Sequence, residues 1–378
     1  MIYFDNAATT YPKPQQVYRA WNHAIGAYGA NPGRSGHAMS VKTSSAVFES
    51  RAACAEFFGA DPENTCFTLN CTHALNFAIK GLARRGVHYV ISDLEHNAVI
   101  RPVHAAAHEY GGSYTLFEVT SNPEQTVQNA ERAIRRGTAA LICTAASNVT
   151  GRILPLKELA ELCERKNVCF IVDAAQGGGV LPLSIKDGIN IICASGHKGL
   201  YGPMGTGLMI TDGTYDLNAL IEGGTGSASE SLEQPEFLPD RFESGTINTP
   251  GVIALGAGVN FVKSKGIGTV YRHEMRLCRQ FYEGAQRLNN IVLYEDIKEG
   301  THAPVVAFNI KGHSAAEAAQ LLSDAGFYLR GGLHCAPLAH KKLGTLDDGG
   351  TLRLAPSVFT ASADIYKLLR FLSKPMIH

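Results

Sequence analysis

The residue types best suited to covalent chemistry in this chain are a lysine, an aspartate and a cysteine, each at the end of an apolar run or in a glycine-rich turn. Lys198 follows the apolar run Ile189 to Ala194 and then Ser195-Gly196-His197, and glycines 199, 202, 205 and 207 come after it before a strand pattern resumes near Leu208. A lysine held near low-dielectric surroundings binds its proton less tightly, and its amine becomes a nucleophile that can form an imine with an aldehyde. An isolated lysine is more often a solvated loop residue. The balance shifts because Val168 to Asp173 is a second short apolar run, ending in a carboxylate 25 residues before Lys198.

Cys335 lies in Arg330-Gly-Gly-Leu-His-Cys-Ala-Pro337. Free cysteines are usually small buried hydrophobes, but a loop thiol after a histidine and two glycines is better placed to react. Arg353 interrupts an apolar strand pattern from Thr351 to Ala355. Its guanidinium could grip a carboxylate with two parallel hydrogen bonds, or form a surface ion pair.

The elements that must position these groups alternate. Strand patterns at 65–69, from Tyr89, and at 113–118, 139–144, 168–173 and 189–194 are separated by longer stretches, with helical patterns at 40–58, from about Thr72, at 127–136 and at 156–165. Strands joined by such crossovers imply a mainly parallel sheet covered on both faces, with its ligand at the carboxyl ends of the strands. Thr72, His96, Asn148, Asp173 and Lys198 all fall there. The turn Asn70-Cys71-Thr72 opens a helix whose apolar face is Leu75, Ala78, Ile79 and Leu82, so unpaired N–H groups at Cys71 and Thr72 could hold a phosphate. The plainer reading makes Thr72 a helix N-cap. Residues 215–241 are polar, glycine-rich and aperiodic, as in a functional loop at a pocket. Two helical stretches, 252–263 and 268–288, are broken at Lys265-Gly266-Ile267-Gly268. Beyond them come strands at 304–310, 328–330 and 351–355, a helix opened by the capping box Ser314 to Glu317, and a closing helix at 362–372.

Taken in order, Asp5-Asn6-Ala7-Ala8-Thr9, Val172-Asp173-Ala174-Ala175-Gln176, Ser195-Gly196-His197-Lys198, Phe242-Glu243-Ser244-Gly245-Thr246-Ile247-Asn248-Thr249-Pro250 and Arg330 to Pro337 resemble motifs of the class V aminotransferase group of fold-type-I pyridoxal phosphate enzymes. Within it the chain is most similar to the cysteine desulfurases and selenocysteine lyases, from Asp5 to about Ala361. The resemblance implies an α/β fold: a mainly parallel, seven-stranded-type sheet in a large domain (16–250), a smaller α+β C-terminal domain (251–378), and an N-terminal segment (1–15) joining the small domain.

It also implies roles. Lys198, Cys335 and His96 would be catalytic. Cys71, Thr72, His96, Asn148, Asp173, Gln176, His197, Lys198 and Thr246 would bind pyridoxal 5'-phosphate, Asp173 through the pyridine nitrogen, Asn148 and Gln176 through the ring's phenolic oxygen, and Thr246 across a dimer interface. Asn6, Ala7 and Arg353 would bind the substrate, the arginine through its α-carboxylate. The loop Asn31 to His37 would approach the active site, often that of the partner subunit. Asn70 and Cys71 replace the Gly-Thr that is usual at the phosphate turn. The implied reaction converts cysteine to alanine with the sulfur passed to Cys335; a selenocysteine lyase, or another class V reaction such as transamination or racemisation, would keep most of these motifs. The expected partners are an amino acid substrate, a second copy of the chain sharing its active sites, and a protein that accepts the sulfur.

Bulk properties narrow the setting. The chain has 378 residues, with 34 basic and 34 acidic side chains, so its formal charge is zero. That balance gives no argument for nucleic acid, and no apolar run is long enough to span a bilayer. The nine cysteines contain no C-x-x-C pair, which argues against a metal site and for free thiols in a reducing cytoplasm.

Overall fold

The computed structural model describes residues 1–33 and 36–374; Arg34 and Ser35, in the loop expected to approach the active site, lie outside the described residues. The first part of the chain gives β1 (Ile2–Tyr3), α1 (Gln15–Ala27), α2 (Ala38–Phe57), β2 (Thr65–Thr68), α3 (Cys71–Gly81), β3 (His88–Ser92) and α4 (Asn97–Glu109). Next come β4 (Ser113–Phe117), α5 (Pro123–Ala133), β5 (Thr138–Thr144), α6 (Leu156–Lys166), β6 (Cys169–Asp173), β7 (Ile191–Ser195) and β8 (Gly207–Thr211). The rest gives α7 (Thr249–Lys265), α8 (Ile267–Ala285), β9 (Ile291–Leu293), β10 (Val306–Ile310), α9 (Ala315–Asp324), β11 (Phe327–Tyr328), β12 (Arg330–Gly332), α10 (Pro337–Leu343), β13 (Thr351–Leu354) and α11 (Ser362–Leu372).

Seven strands form one sheet in the order β2-β8-β7-β6-β5-β3-β4. Only β8 runs against its neighbours, pairing antiparallel with β2 and β7; the pairs β3–β4, β3–β5, β5–β6 and β6–β7 are parallel. Because successive side chains point to opposite faces, Leu141, Val172 and Ile192 enter one buried cluster while Ile142, Ile171 and Ile191 enter another. Helices cover both faces, as a parallel sheet requires. Full burial of each such side chain is worth roughly 1.5–3 kcal/mol, so this two-faced core supplies the rigid edge on which the loops stand.

A second, antiparallel sheet, β12-β13-β10-β9, packs Phe308 and Leu354 against Phe281 of α8, Leu322 of α9 and Leu368 of α11. The first strand pairs in parallel with β11, Ile2 opposite Phe327. A bridge from Asp5 to Ala355 then ties the chain to the end of β13. The break between α7 and α8 falls at Gly266, whose φ of +78° suits glycine. Among the described residues no helix is long and apolar enough to cross a membrane.

Several local expectations shift. Helix α2 forms, but Val41 and Phe48 are exposed; its buried face is Ser40, Thr43, Val47, Ser50, Arg51 and Cys54, with Arg51 paired to Glu243 at 2.5 Å. Helix α5 starts four residues before the expected position because Asn122 caps it and Pro123 fills its first position, where no N–H is needed. Residues 215–241 contain no helix or strand, and none of them lines the cavity at Lys198; Thr225, Pro239 and Asp240 line a separate groove with Phe48 and Arg51.

Candidate active site

The carboxyl ends of β5, β6 and β7 and the start of α3 enclose a cavity of about 220 Å³. Cys71, Thr72, His96, Asn148, Asp173, Gln176, His197 and Lys198 all line it. Ser195 and Thr144 join the wall, which the sequence reading did not assign. A smaller recess beside it shares Gln176 and Lys198 and is lined by Asn6 and Ala7. Thr246 stands apart: it is exposed, and its hydroxyl accepts a hydrogen bond from Asn31 Nδ2 at 3.3 Å.

The α3 turn is built by Asn70, which is the N-cap in place of Thr72. Its side chain accepts from the His73 N–H at 2.9 Å and its carbonyl from the Ala74 N–H at 3.2 Å, leaving the Cys71 and Thr72 N–H groups at the open helix end for an anion. The Cys71 thiol is directed elsewhere. Its sulfur lies 3.3 Å from Asp173 Oδ1 and 3.2 Å from the Cys193 carbonyl, and burial pushes its pKa well up. What Cys71 offers a phosphate is therefore its backbone. Asp173 Oδ1 also accepts from the Ala175 N–H at 2.9 Å, so that oxygen is occupied.

Burial lowers the pKa of Lys198, with the Asp173 carboxylate acting in the opposite direction. The backbone around it is pinned by the N-terminal segment. The His197 carbonyl accepts from the Thr10 N–H at 3.0 Å and from Lys13 Nζ at 2.7 Å, and the Lys198 carbonyl lies 3.0 Å from the Thr10 hydroxyl. Lys13 is itself depressed to about 7 by burial. Gly199 is needed where it is, because a Cβ there would stand 2.3 Å from the Gly178 carbonyl oxygen.

His96 caps α4, its Nδ1 accepting from the Ala98 N–H at 3.0 Å. That contact places the proton of the neutral ring on Nε2. Burial lowers the His96 pKa to about 4, so the imidazole is neutral near pH 7. Behind it Glu95 is fully buried, accepting from the Thr144 N–H at 2.9 Å and from the Ser92 hydroxyl, and desolvation raises its carboxyl to about 8.

Arg353 of β13 and Cys335, on the loop after β12, line neither the cavity nor the recess; they meet the cavity wall through Asn148, which Arg353 and the His334 carbonyl both contact. Arg353 is 2 % exposed; its Nη2 is 2.8 Å from Asp5 Oδ1 and its Nη1 donates to the Asn148 carbonyl at 3.1 Å. Its Nε and the Nδ1 of His197 are buried without a protein partner among the described residues. Gln176 Nε2 donates to the Ala7 carbonyl at 2.9 Å. Cys335 is the exposed cysteine; the other eight are buried, and all nine are free. Arg330 Nη2 lies 3.8 Å from its sulfur, a neighbour that the sequence pattern placed only within the same loop. Consecutive residues His334 and Cys335 hold φ values of +48° and +57°, uncommon for residues with a Cβ.

Comparison with known proteins agrees with this geometry. The family model described as aminotransferase class-V matches residues 2–368. A probable cysteine desulfurase of Pyrococcus abyssi is 31% identical over 99% of this chain and 94% of its own, and one of Methanothermobacter thermautotrophicus is 29% identical over 97% and 92%. The apo structure of a cysteine desulfurase from Thermococcus onnurineus NA1 superposes with a TM-score of 0.91 at 30% identity, covering 98% of this chain and 94% of that one. With its mostly parallel sheet, the lysine and aspartate near its strand ends and its match along nearly the whole length, this chain belongs to the class V aminotransferase family.

Proposed function

We propose that the protein is a cysteine desulfurase that converts L-cysteine to L-alanine and keeps the sulfur as a persulfide on Cys335, with pyridoxal 5'-phosphate as cofactor. The donor set fits that cofactor. A buried amine, a buried carboxylate, a neutral histidine, the open end of α3 and the unpartnered Nδ1 of His197 surround one cavity. Lys198 would carry the group, Asp173 would face its ring nitrogen, His96 its ring, Asn148 and Gln176 its phenolic oxygen, and Cys71, Thr72 and His197 its phosphate. When bound, the group supplies an electron sink for bonds at the substrate's α-carbon.

The chain's own residues supply the rest. Asn6 and Ala7, which line the recess, would seat the amino acid together with Arg353, whose unpartnered Nε is free for its carboxylate. Lys198 Nζ takes the α-proton, a task suited to an amine whose pKa is lowered. The Cys335 sulfur then bonds to the substrate sulfur as the carbon–sulfur bond breaks; the β-carbon keeps the electron pair and takes a proton, and the α-carbon regains the proton that Lys198 took, giving alanine. Arg330 puts a cation beside the attacking atom.

Thr246 is exposed and away from the cavity of its own chain, which supports a role at the phosphate of a second copy in a homodimer with shared active sites. A separate protein would then accept the sulfur, in the cytoplasm, where nine free thiols stay reduced.

The observation that carries this reading is the exposed thiol of Cys335 on a loop docked at the lysine-bearing cavity. Replacing it tests the assignment: Cys335→Ala is expected to lower alanine formation from L-cysteine by about 100-fold or more, as for loss of a nucleophile, while selenocysteine cleavage persists. Full turnover of L-cysteine by this variant contradicts the assignment.

A further inference from the structure

We infer that the Cys335 nucleophile is held in place by two hydrogen bonds from the rim of the cofactor cavity, and that Asn148 is a positioning residue linking that cavity to the thiol. The inference rests on the desulfurase reading and adds to it how the thiol is aimed. Asn148 Nδ2 donates to the His334 carbonyl at 2.8 Å. The Asn97 N–H donates to the Cys335 carbonyl at 2.7 Å. Both donors belong to the cavity wall or its edge, since Asn148 lines the cavity and Asn97 directly follows His96.

The two accepting carbonyls belong to the residues at φ +48° and +57°. A pair of non-glycine residues stays in that region only where its surroundings fix it. From the other side the His334 ring is buried and bonds the Thr351 carbonyl of β13 at 2.9 Å. The loop is thus tied to the C-terminal sheet by a side chain and to the large sheet's edge by its backbone. Asn148 has a third contact, its own carbonyl accepting from Arg353 Nη1 at 3.1 Å. One residue therefore touches the cavity, the carbonyl before the nucleophile, and the arginine proposed for the substrate carboxylate. Whatever fills the cavity and moves the Asn148 amide also moves the thiol's anchor.

Asn97→Pro removes one of the two donors and sets its Cδ against the Cys335 carbonyl, so it displaces the anchor without changing a cavity side chain. Asn97 is the first residue of α4, where proline is tolerated, and His96 has the extended backbone (φ −72°, ψ 156°) that a residue before proline adopts. In the cofactor-loaded variant, persulfide formation at Cys335 from L-cysteine is expected to fall about tenfold or more, while exchange of the L-alanine α-proton in deuterium oxide, which Lys198 performs, changes by less than about twofold. Asn148→Ala supplies the second arm. In the unaltered protein, adding pyridoxal phosphate to the cofactor-free form should change the rate of iodoacetamide labelling of Cys335 by about threefold or more, and the variant should lose that response. Persulfide formation at the unaltered rate in Asn97→Pro, or an undiminished labelling response in Asn148→Ala, overturns the inference. Absence of α-proton exchange in the unaltered protein would instead overturn the desulfurase reading beneath it, so the two failures are distinct.

Discussion

At the scale of single residues, Arg353 shows how burial sharpens a role. Its guanidinium is enclosed, with Asp5 at 2.8 Å and the Asn148 carbonyl at 3.1 Å, and its Nε is unpartnered. Burial pulls its pKa down and the Asp5 carboxylate holds it up. A lysine keeps the charge but not the planar fork. Arg353→Lys is therefore expected to raise KM for L-cysteine by about tenfold or more, consistent with losing one charge-assisted hydrogen bond of roughly 1.5–3 kcal/mol. Steady-state kinetics check it, and an unchanged KM would remove Arg353 from the substrate site. Cys71 makes a related point: its sulfur, directed at Asp173, leaves only its N–H to the ligand side.

At the scale of elements, what could be read from the sequence followed from how local each signal was. The inner strands were plain because a parallel strand buried on both faces must be an apolar run, as in Cys169–Asp173 and Ile191–Ser195. The capping box at Ser314 and Glu317 and the break at Gly266 were equally local, and both are present. Helix α1 was missed although Val17, Ala20, Trp21 and Ala24 recur at helical spacing, because Pro14 precedes it and no side chain caps it. Helix α4 was missed because its cap is a histidine and Pro102 lies inside it. In the site, Lys198 and Asp173 were legible as polar residues ending apolar runs. Lys13 and Glu95 were not. Lys13 gains its place from a carbonyl 184 residues away. Glu95 is buried only because the sheet closes over it, with its backbone partner 49 residues distant.

At the scale of the whole molecule, the two sheets meet through a buried polar link. Tyr201, three residues after Lys198, donates its hydroxyl proton to Glu274 of α8 at 3.2 Å and accepts from the Val358 N–H at 3.1 Å. Glu274 is 4 % exposed, and desolvation raises its carboxyl from 4.5 to about 8. The folded state thus holds a proton that the unfolded chain releases at lower pH. The stabilisation is fully present below about pH 4.5 and is lost as pH rises through about 8. Glutamine imitates the protonated form at every pH. Between about pH 6 and about pH 9, the unaltered protein should lose stability relative to Glu274→Gln by on the order of a few kcal/mol in denaturant titrations; a pH-independent difference would refute the link.

The account as a whole turns on where the sulfur goes. Incubating the purified, cofactor-loaded protein with L-cysteine in the absence of reductant, then measuring L-alanine and the mass of the peptide carrying Cys335, tests that directly. One added sulfur atom on Cys335 for each alanine formed in the first turnover is the predicted result. Alanine without sulfur on that peptide, or a keto acid in place of alanine, would contradict it.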